Sequence, residues 1–289
     1  MSVTNLIIEE RSRDIGNFMV GRLLPFRKKR MVGPFIFVDH MGPSLLEPGN
    51  YLDVDQHPHI GLSTLTYLLD GEIIHEDSMG SSQRIMPGSV NLMTAGKGVT
   101  HTERTPADMR GKRYTLHGYQ IWIALPKDKE DMAPEFFSAP KDTLPKWEEG
   151  GAKYTLLIGE AFGRRSPVPV LSDLFMVEIY SPDSVTLNLN NGIKGESGIL
   201  ITRGSITANG MLLDEGKLLV AKSNETCEIT INPGARIFLF GGEPFPEKRY
   251  IDWNFVSSDM AKIKHAKHDW SAGKFPKISG DDSYVPYPG

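Results

Sequence analysis

Two short stretches bring together residues able to bind a metal and to move a proton. "QHPHIGL" (residues 56–62) sets His57 and His59 two positions apart, and "GVTHTE" (98–103) sets His101 and Glu103 at the same spacing. In an extended chain, positions i and i+2 point to the same face, so each pair can converge on one point. Facing one another inside a barrel, the two pairs would offer three imidazoles and one carboxylate. That donor set suits a divalent first-row transition ion, and four protein donors on an octahedral ion leave two positions open for oxygen chemistry. Structural zinc prefers a closed tetrahedral site, often with thiolates, and the chain has one cysteine, Cys227. Pro58 lacks an N–H, which puts the first pair at a strand edge or end.

Spacing alone leaves other readings open. The chain holds 8 histidines and 36 acidic residues among 289, so chance supplies about one H-x-[DE] pair. His75 and Asp77 in "HEDSMG" form a second such pair; a hydrogen-bonded place beside the site suits them better than ligation. His40 and His117 read as structural. Gln120 and Trp122 share one face of "YQIWIALP" and can reach a cavity or simply pack its wall. His265 and His268, three apart among Lys262, Lys264 and Lys267, read as a solvated helix face. "TAGKGVT" fits neither phosphate-loop pattern, and its glycines suit a tight turn before the His101 segment. There is no G-x-S-x-G elbow for serine hydrolysis.

The elements that must hold these residues read as all-β. Short apolar or alternating runs are broken by turn signals every eight to fifteen residues, with no sustained helical period before the C-terminal region. Asp70-Gly71 and Asn209-Gly210 are hairpin signals. The expected organisation is an N-terminal barrel over 1–130, a Pro-rich charged linker over 131–151, a second barrel over 152–245, and a helix and tail over 246–289. Ser257 or Ser258 would cap that helix, Gly273 would end it, and Met260, Ile263 and Trp270 would pack onto the second β unit. No histidine occurs between His117 and His265, so the second barrel cannot build a three-imidazole site.

Composition narrows the class. A formal charge of −4 does not provide the basic field a nucleic-acid binder needs. The longest apolar runs are too short to cross a bilayer, and the start lacks a secretory pattern. A reducing cytoplasm is the expected location.

The stretch "HPHIGLSTLTYLLDGEIIHEDSMGSSQRIMPGSVNLMTAGKGVTHTE" (57–103) resembles the pirin family of the cupin superfamily, matching H-P-H followed by M-T-A-G-x-G-x-x-H-x-E. The likeness continues upstream in "RMVGPFIFVDHMGP", downstream in "YQIWIALP", and in the tail "GEPFPEKRYIDWNFVSSDMAKIKHAKHDWSAGKFPK". It implies two tandem cupin barrels (a bicupin) with a metal in the first, held by His57, His59, His101 and Glu103. The general cupin pattern often places a glutamate where Ser63 and Thr64 stand; in pirins the later segment provides the carboxylate. The implied ion is Fe(II), with Mn, Ni, Cu or Zn as substitutes. The implied activity is that of a quercetin 2,3-dioxygenase, taking a planar phenolic substrate and O2, releasing carbon monoxide, and using Glu103 as proton acceptor. The alternative the family offers is an iron-dependent module that binds a transcription factor or metabolic enzyme without turnover.

Overall fold

The computed structural model describes residues 6–15, 18–188, 192–221 and 228–289; Cys227 lies outside them. Antiparallel strands dominate, with one α-helix, Met260–Ser271, among the described residues. None of their helices is long and apolar enough to cross a membrane.

The chain divides into two compact units, and neither is a single stretch. One contains Phe37–Lys141 and Pro246–Gly289 with the segment Ser12–Gly21; the other contains Arg22–Ile36 and Asp142–Phe245 with the N-terminal segment. The division differs from the expected one because strand pairing ignores chain order. Leu6–Glu9 pairs with Lys217–Ala221, Leu6 opposite Val220, and so joins the unit built from the second half of the chain.

In the first of these units a four-stranded sheet runs Asp53–His59, Val99–Arg104, Ile73–Asp77, Ser82–Ile85. A seven-stranded sheet runs Glu135–Ala139, Val90–Thr94, Leu62–Asp70, Tyr114–Ala124, Phe35–Leu46, Met19–Leu24, Arg11–Asp14. The other unit repeats the plan with an eight-stranded and a four-stranded sheet. Double-sheet barrels of this kind leave few open edges. In the first unit Leu46, Leu52, Leu68, Ile73, Ile85 and Leu116 form an apolar cluster with almost no exposure. Each such side chain contributes about 1.5–3 kcal/mol by leaving water.

The turn signals acted differently. At Asn209 and Gly210 both φ angles are positive (50° and 74°), and Ala208 faces Met211 across the hairpin, as a type I′ turn requires. Asp70-Gly71 also turns, with Gly71 at φ 78°, yet it passes the chain from one sheet to the other rather than closing a hairpin.

The expected linker contains two strands. Glu135–Ala139 pairs with Val90–Thr94, and Lys146–Glu149 pairs with Ala152–Ala161. Prolines and charges concealed both, because each strand keeps exposed side chains on one face.

The helix packs in the unit opposite to the expected one. Ile263, Ala266 and Trp270 are buried with Ile60 and Phe255, while Met260 is exposed. Its N-cap is Asp259, whose side chain accepts from the Ala261 N–H at 2.8 Å. Ser257 instead accepts from the Asp259 N–H and donates to buried Glu130. Gly273 follows the helix at φ 67°, as expected.

Candidate metal centre

Register explains how the histidines meet. His101 lies opposite His57, and Val99 opposite His59, in one antiparallel pair. On the other edge of the same strand, His101 lies opposite Asp77 and Glu103 opposite His75. Residues directly opposite share a face, so one face of the four-stranded sheet presents His57, His59, His101, Glu103, His75 and Asp77. Between His101 and Glu103 the register slips by one, with Glu103 facing Val54. The extra residue is a β-bulge in the His57 strand, a common device for re-aiming side chains at a site.

The turn before His101 depends on glycine. Gly96 has φ 51°, and a Cβ there would strike the Met132 carbonyl oxygen, which also accepts the Lys97 N–H at 2.9 Å.

His57, His59 and His101 are buried, and one ring nitrogen from each lies within 4.8 Å of the other two. Nε2 of His59 and Nε2 of His101 are 3.1 Å apart. Nδ1 of His57 faces the Asp55 carbonyl oxygen at 2.8 Å, which leaves Nε2 as its lone-pair atom. Burial pushes the His57 pKa down to about 4, with the Asp55 carbonyl opposing. Burial, and then the neighbouring imidazoles, hold His59 and His101 well below the usual histidine range. All three are therefore neutral donors at pH 7.

That arrangement fits an ion. Two neutral imidazoles cannot set lone pairs against each other at 3.1 Å without a proton or a cation between them. Two nitrogens at ~2.1 Å and a right angle from one ion would lie ~3.0 Å apart.

Glu103 stands apart from the close trio. Its carboxylate is half-buried and accepts from the Thr66 hydroxyl at 3.2 Å. Desolvation raises its pKa, opposed by His75 and the Thr66 hydrogen bond. The same Thr66 hydroxyl lies 2.8 Å from the Gln120 carboxamide oxygen, so its one hydrogen is shared between two acceptors. Trp122 lies edge-on to His59, ring centroids 5.1 Å apart, and stacks on Phe37 at 3.9 Å. Gln120 and Trp122 thus reach the site on the face predicted for them.

The competing histidines sort themselves by contact. His75 meets His101, Nδ1 to Nδ1, at 3.2 Å, and stacks on Phe136 at 4.6 Å. His40 and His117 do not join the trio; they pair with each other, Nε2 to Nε2, at 2.9 Å. His265 is exposed, its Nε2 3.0 Å from an Asp269 carboxylate oxygen. Among the described residues, the trio is the cluster of metal-ligating groups.

Sequence reasoning missed Thr66, Phe37, Phe136 and the tail. Residues 278–285 brace the outer side of the ligand strands. Gln56 Nε2 donates to the Asp281 carbonyl at 2.7 Å, and its Oε1 accepts the Ile278 N–H at 2.9 Å. Its backbone carbonyl accepts the Val285 N–H at 2.9 Å. Arg104, next to Glu103, pairs with Asp281 at 2.6 Å and donates to Ser283. Thr66 was within reach, since it shares a strand face with Thr64 and Leu68; the tail contacts carry no local signal.

Comparison with known proteins then decides the family. The Pirin model matches residues 17–123 and the model described as Pirin C-terminal cupin domain matches 176–276. A pirin-like protein of Caulobacter vibrioides is 44% identical over 98% of this chain and 99% of its own. The chain belongs to the pirin family. It carries two cupin-type domains, as a bicupin does. A crystal structure of a quercetin 2,3-dioxygenase from Acinetobacter baumannii matches this pirin with a TM-score of 0.91 and 36% identity, over 99% of this chain and 95% of that one. A bacterial pirin from Escherichia coli, in complex with nickel(II), matches with a TM-score of 0.67 at 18% identity, over 84% of this chain and all of that one. The latter likeness concerns the fold alone.

Proposed function

We propose that this pirin is a metal-dependent dioxygenase that opens flavonols such as quercetin with O2, releasing carbon monoxide. The observation that carries the reading is the buried trio His57, His59 and His101, held neutral beside an acidic residue on the same strand face. Its likeness to the Acinetobacter enzyme supports the substrate class.

His57, His59 and His101 would hold the ion, with Glu103 as fourth ligand. Fe(II) is the ion assigned; the same donors accept Mn, Ni, Cu or Zn, so cellular supply also decides. When bound, the ion supplies Lewis acidity and an electron path between flavonol and dioxygen. The rest falls to this chain's own side chains. Glu103 takes the proton of the flavonol hydroxyl at a carboxylate oxygen, the carboxylate on the same strand face as the imidazole trio. The Thr66 hydroxyl, shared between the Glu103 carboxylate and the Gln120 carboxamide oxygen, ties these side chains together. Trp122, stacked on Phe37, provides a flat apolar wall for a planar ring.

The test is aerobic incubation of iron-loaded protein with quercetin. Bleaching of the flavonol with release of carbon monoxide, both lost in His101→Ala, is the expected result. Iron retained with no turnover of any flavonol would contradict it and favour a metal-dependent binding module.

A further inference from the structure

Behind the trio lies a buried pair with no direct part in the chemistry proposed above. His75 and Asp77 are each 2% exposed, and their side chains form a line that ends on His101. Nε2 of His75 is 3.2 Å from Oδ2 of Asp77, and Nδ1 of His75 is 3.2 Å from Nδ1 of His101. The other Asp77 oxygen accepts two backbone N–H groups, from Met79 at 2.9 Å and Ser81 at 3.0 Å.

The geometry points to His75 and Asp77 as positioning residues that fix the tautomer of His101, so that its Nε2 lone pair faces the metal centre. The logic starts at the carboxylate. Asp77 as an anion can only accept, and its two oxygens meet Nε2 of His75 and the backbone N–H groups of Met79 and Ser81. Nε2 of His75 must then carry the hydrogen. One hydrogen fits between Nδ1 of His75 and Nδ1 of His101, and only its donation by His101 leaves that ring an Nε2 lone pair for the centre. A neutral His101 is left with its lone pair on Nε2, the atom 3.1 Å from Nε2 of His59. For His57 the Asp55 carbonyl does the same work directly; for His101 the instruction passes through a second ring. Outer partners of this kind commonly set ligand orientation and metal affinity.

The inference rests on the metal centre proposed above, but its first readout needs no metal. In metal-free full-length protein at pH 7.5, long-range proton–nitrogen NMR of the imidazoles should report His101 protonated on Nδ1 and His75 on Nε2. Asp77→Asn keeps the shape and reverses the sense. The Asn oxygen still accepts from Met79 and Ser81, so its amide donates to His75, which then donates to His101. His101 should therefore become the Nε2–H tautomer. His101 found as Nε2–H in the wild type, or unchanged by Asp77→Asn, would overturn the assignment.

A second readout uses zinc(II) alone, in competition with a chelator. Asp77→Asn and His75→Leu should each weaken zinc binding by about 10–100-fold. His75→Gln, which can accept from His101 and donate to Asp77, should stay within about threefold of wild type. Equal loss in His75→Gln and His75→Leu would make the pair merely structural. Absence of zinc binding by the wild type, with the tautomers as stated, would sink the metal centre and leave the tautomer relay standing.

Discussion

His101 and His57 are register partners across two antiparallel strands, their ring centroids 4.3 Å apart. Segments distant in the sequence are brought together by a ladder of backbone hydrogen bonds. The site therefore sits on rigid scaffold rather than on loops, a favourable condition for holding donors to sub-ångström precision.

His101 touches His59, His57 and His75 at once, so its loss should be the most damaging of the three. His101→Ala protein, purified without added metal, should carry less than about a tenth of an ion per chain, against about one for wild type. Elemental analysis reads this directly, and near-equal metal content would remove His101 from the ligand set.

Glu103 should separate binding from turnover. Glu103→Gln keeps the size and a bond to Thr66 but cannot take a proton. It should retain metal with affinity lowered about tenfold, while the rate of flavonol loss falls by about 10²–10⁴. Full activity would exclude Glu103 as the proton acceptor.

The buried imidazoles make stability depend on pH when no metal is present. In the unfolded chain a histidine takes up its proton near pH 6.5, whereas folded His57 does so only near pH 4. Between these values the unfolded state binds more protons, so stability is fully present above about pH 6.5 and is lost as pH falls through the window. His57 alone should cost about 2 kcal/mol at pH 5; His59 and His101 act in the same direction. The raised pKa of Glu103 acts in the opposite sense, one carboxyl against three rings. Urea midpoints of metal-free protein should be lower at pH 5 than at pH 7.5; an equal or higher midpoint at pH 5 would refute this.

The tail should matter to the site although it is remote in sequence. Truncation after Lys277 removes the tail partners of Gln56 and Arg104, which flank His57 and Glu103 in their strands, and leaves Arg104 its pair with Asp55. Zinc affinity should fall about tenfold with the barrel still folded by circular dichroism. Unchanged affinity would make the tail irrelevant to the ligand strands.

Much of this was legible in the residues. His57, His59 and His101 could be read because strand periodicity is two, and i, i+2 pairs announce a shared face. Gln120 and Trp122 followed from the same rule, as did the Asn209-Gly210 hairpin. What escaped depends on pairing between distant segments. Nothing local says that Leu6–Glu9 completes a sheet with Lys217–Ala221, or that Trp270 packs with Phe255 beside Ile60. Phe136 was hidden because its strand is flanked by prolines and exposes one face. Glu103 lies on the predicted strand and face, but held by Thr66, outside the close imidazole trio.

The most direct measurement is a crystal structure of the zinc-loaded protein with anomalous data, zinc serving as a redox-silent substitute for iron. One peak should lie at about 2.1 Å from a ring nitrogen of each of His57, His59 and His101, with a Glu103 oxygen at a similar distance. Absence of a peak within reach of those three rings, in protein shown to contain zinc, would contradict the metal centre and the oxygen chemistry built on it.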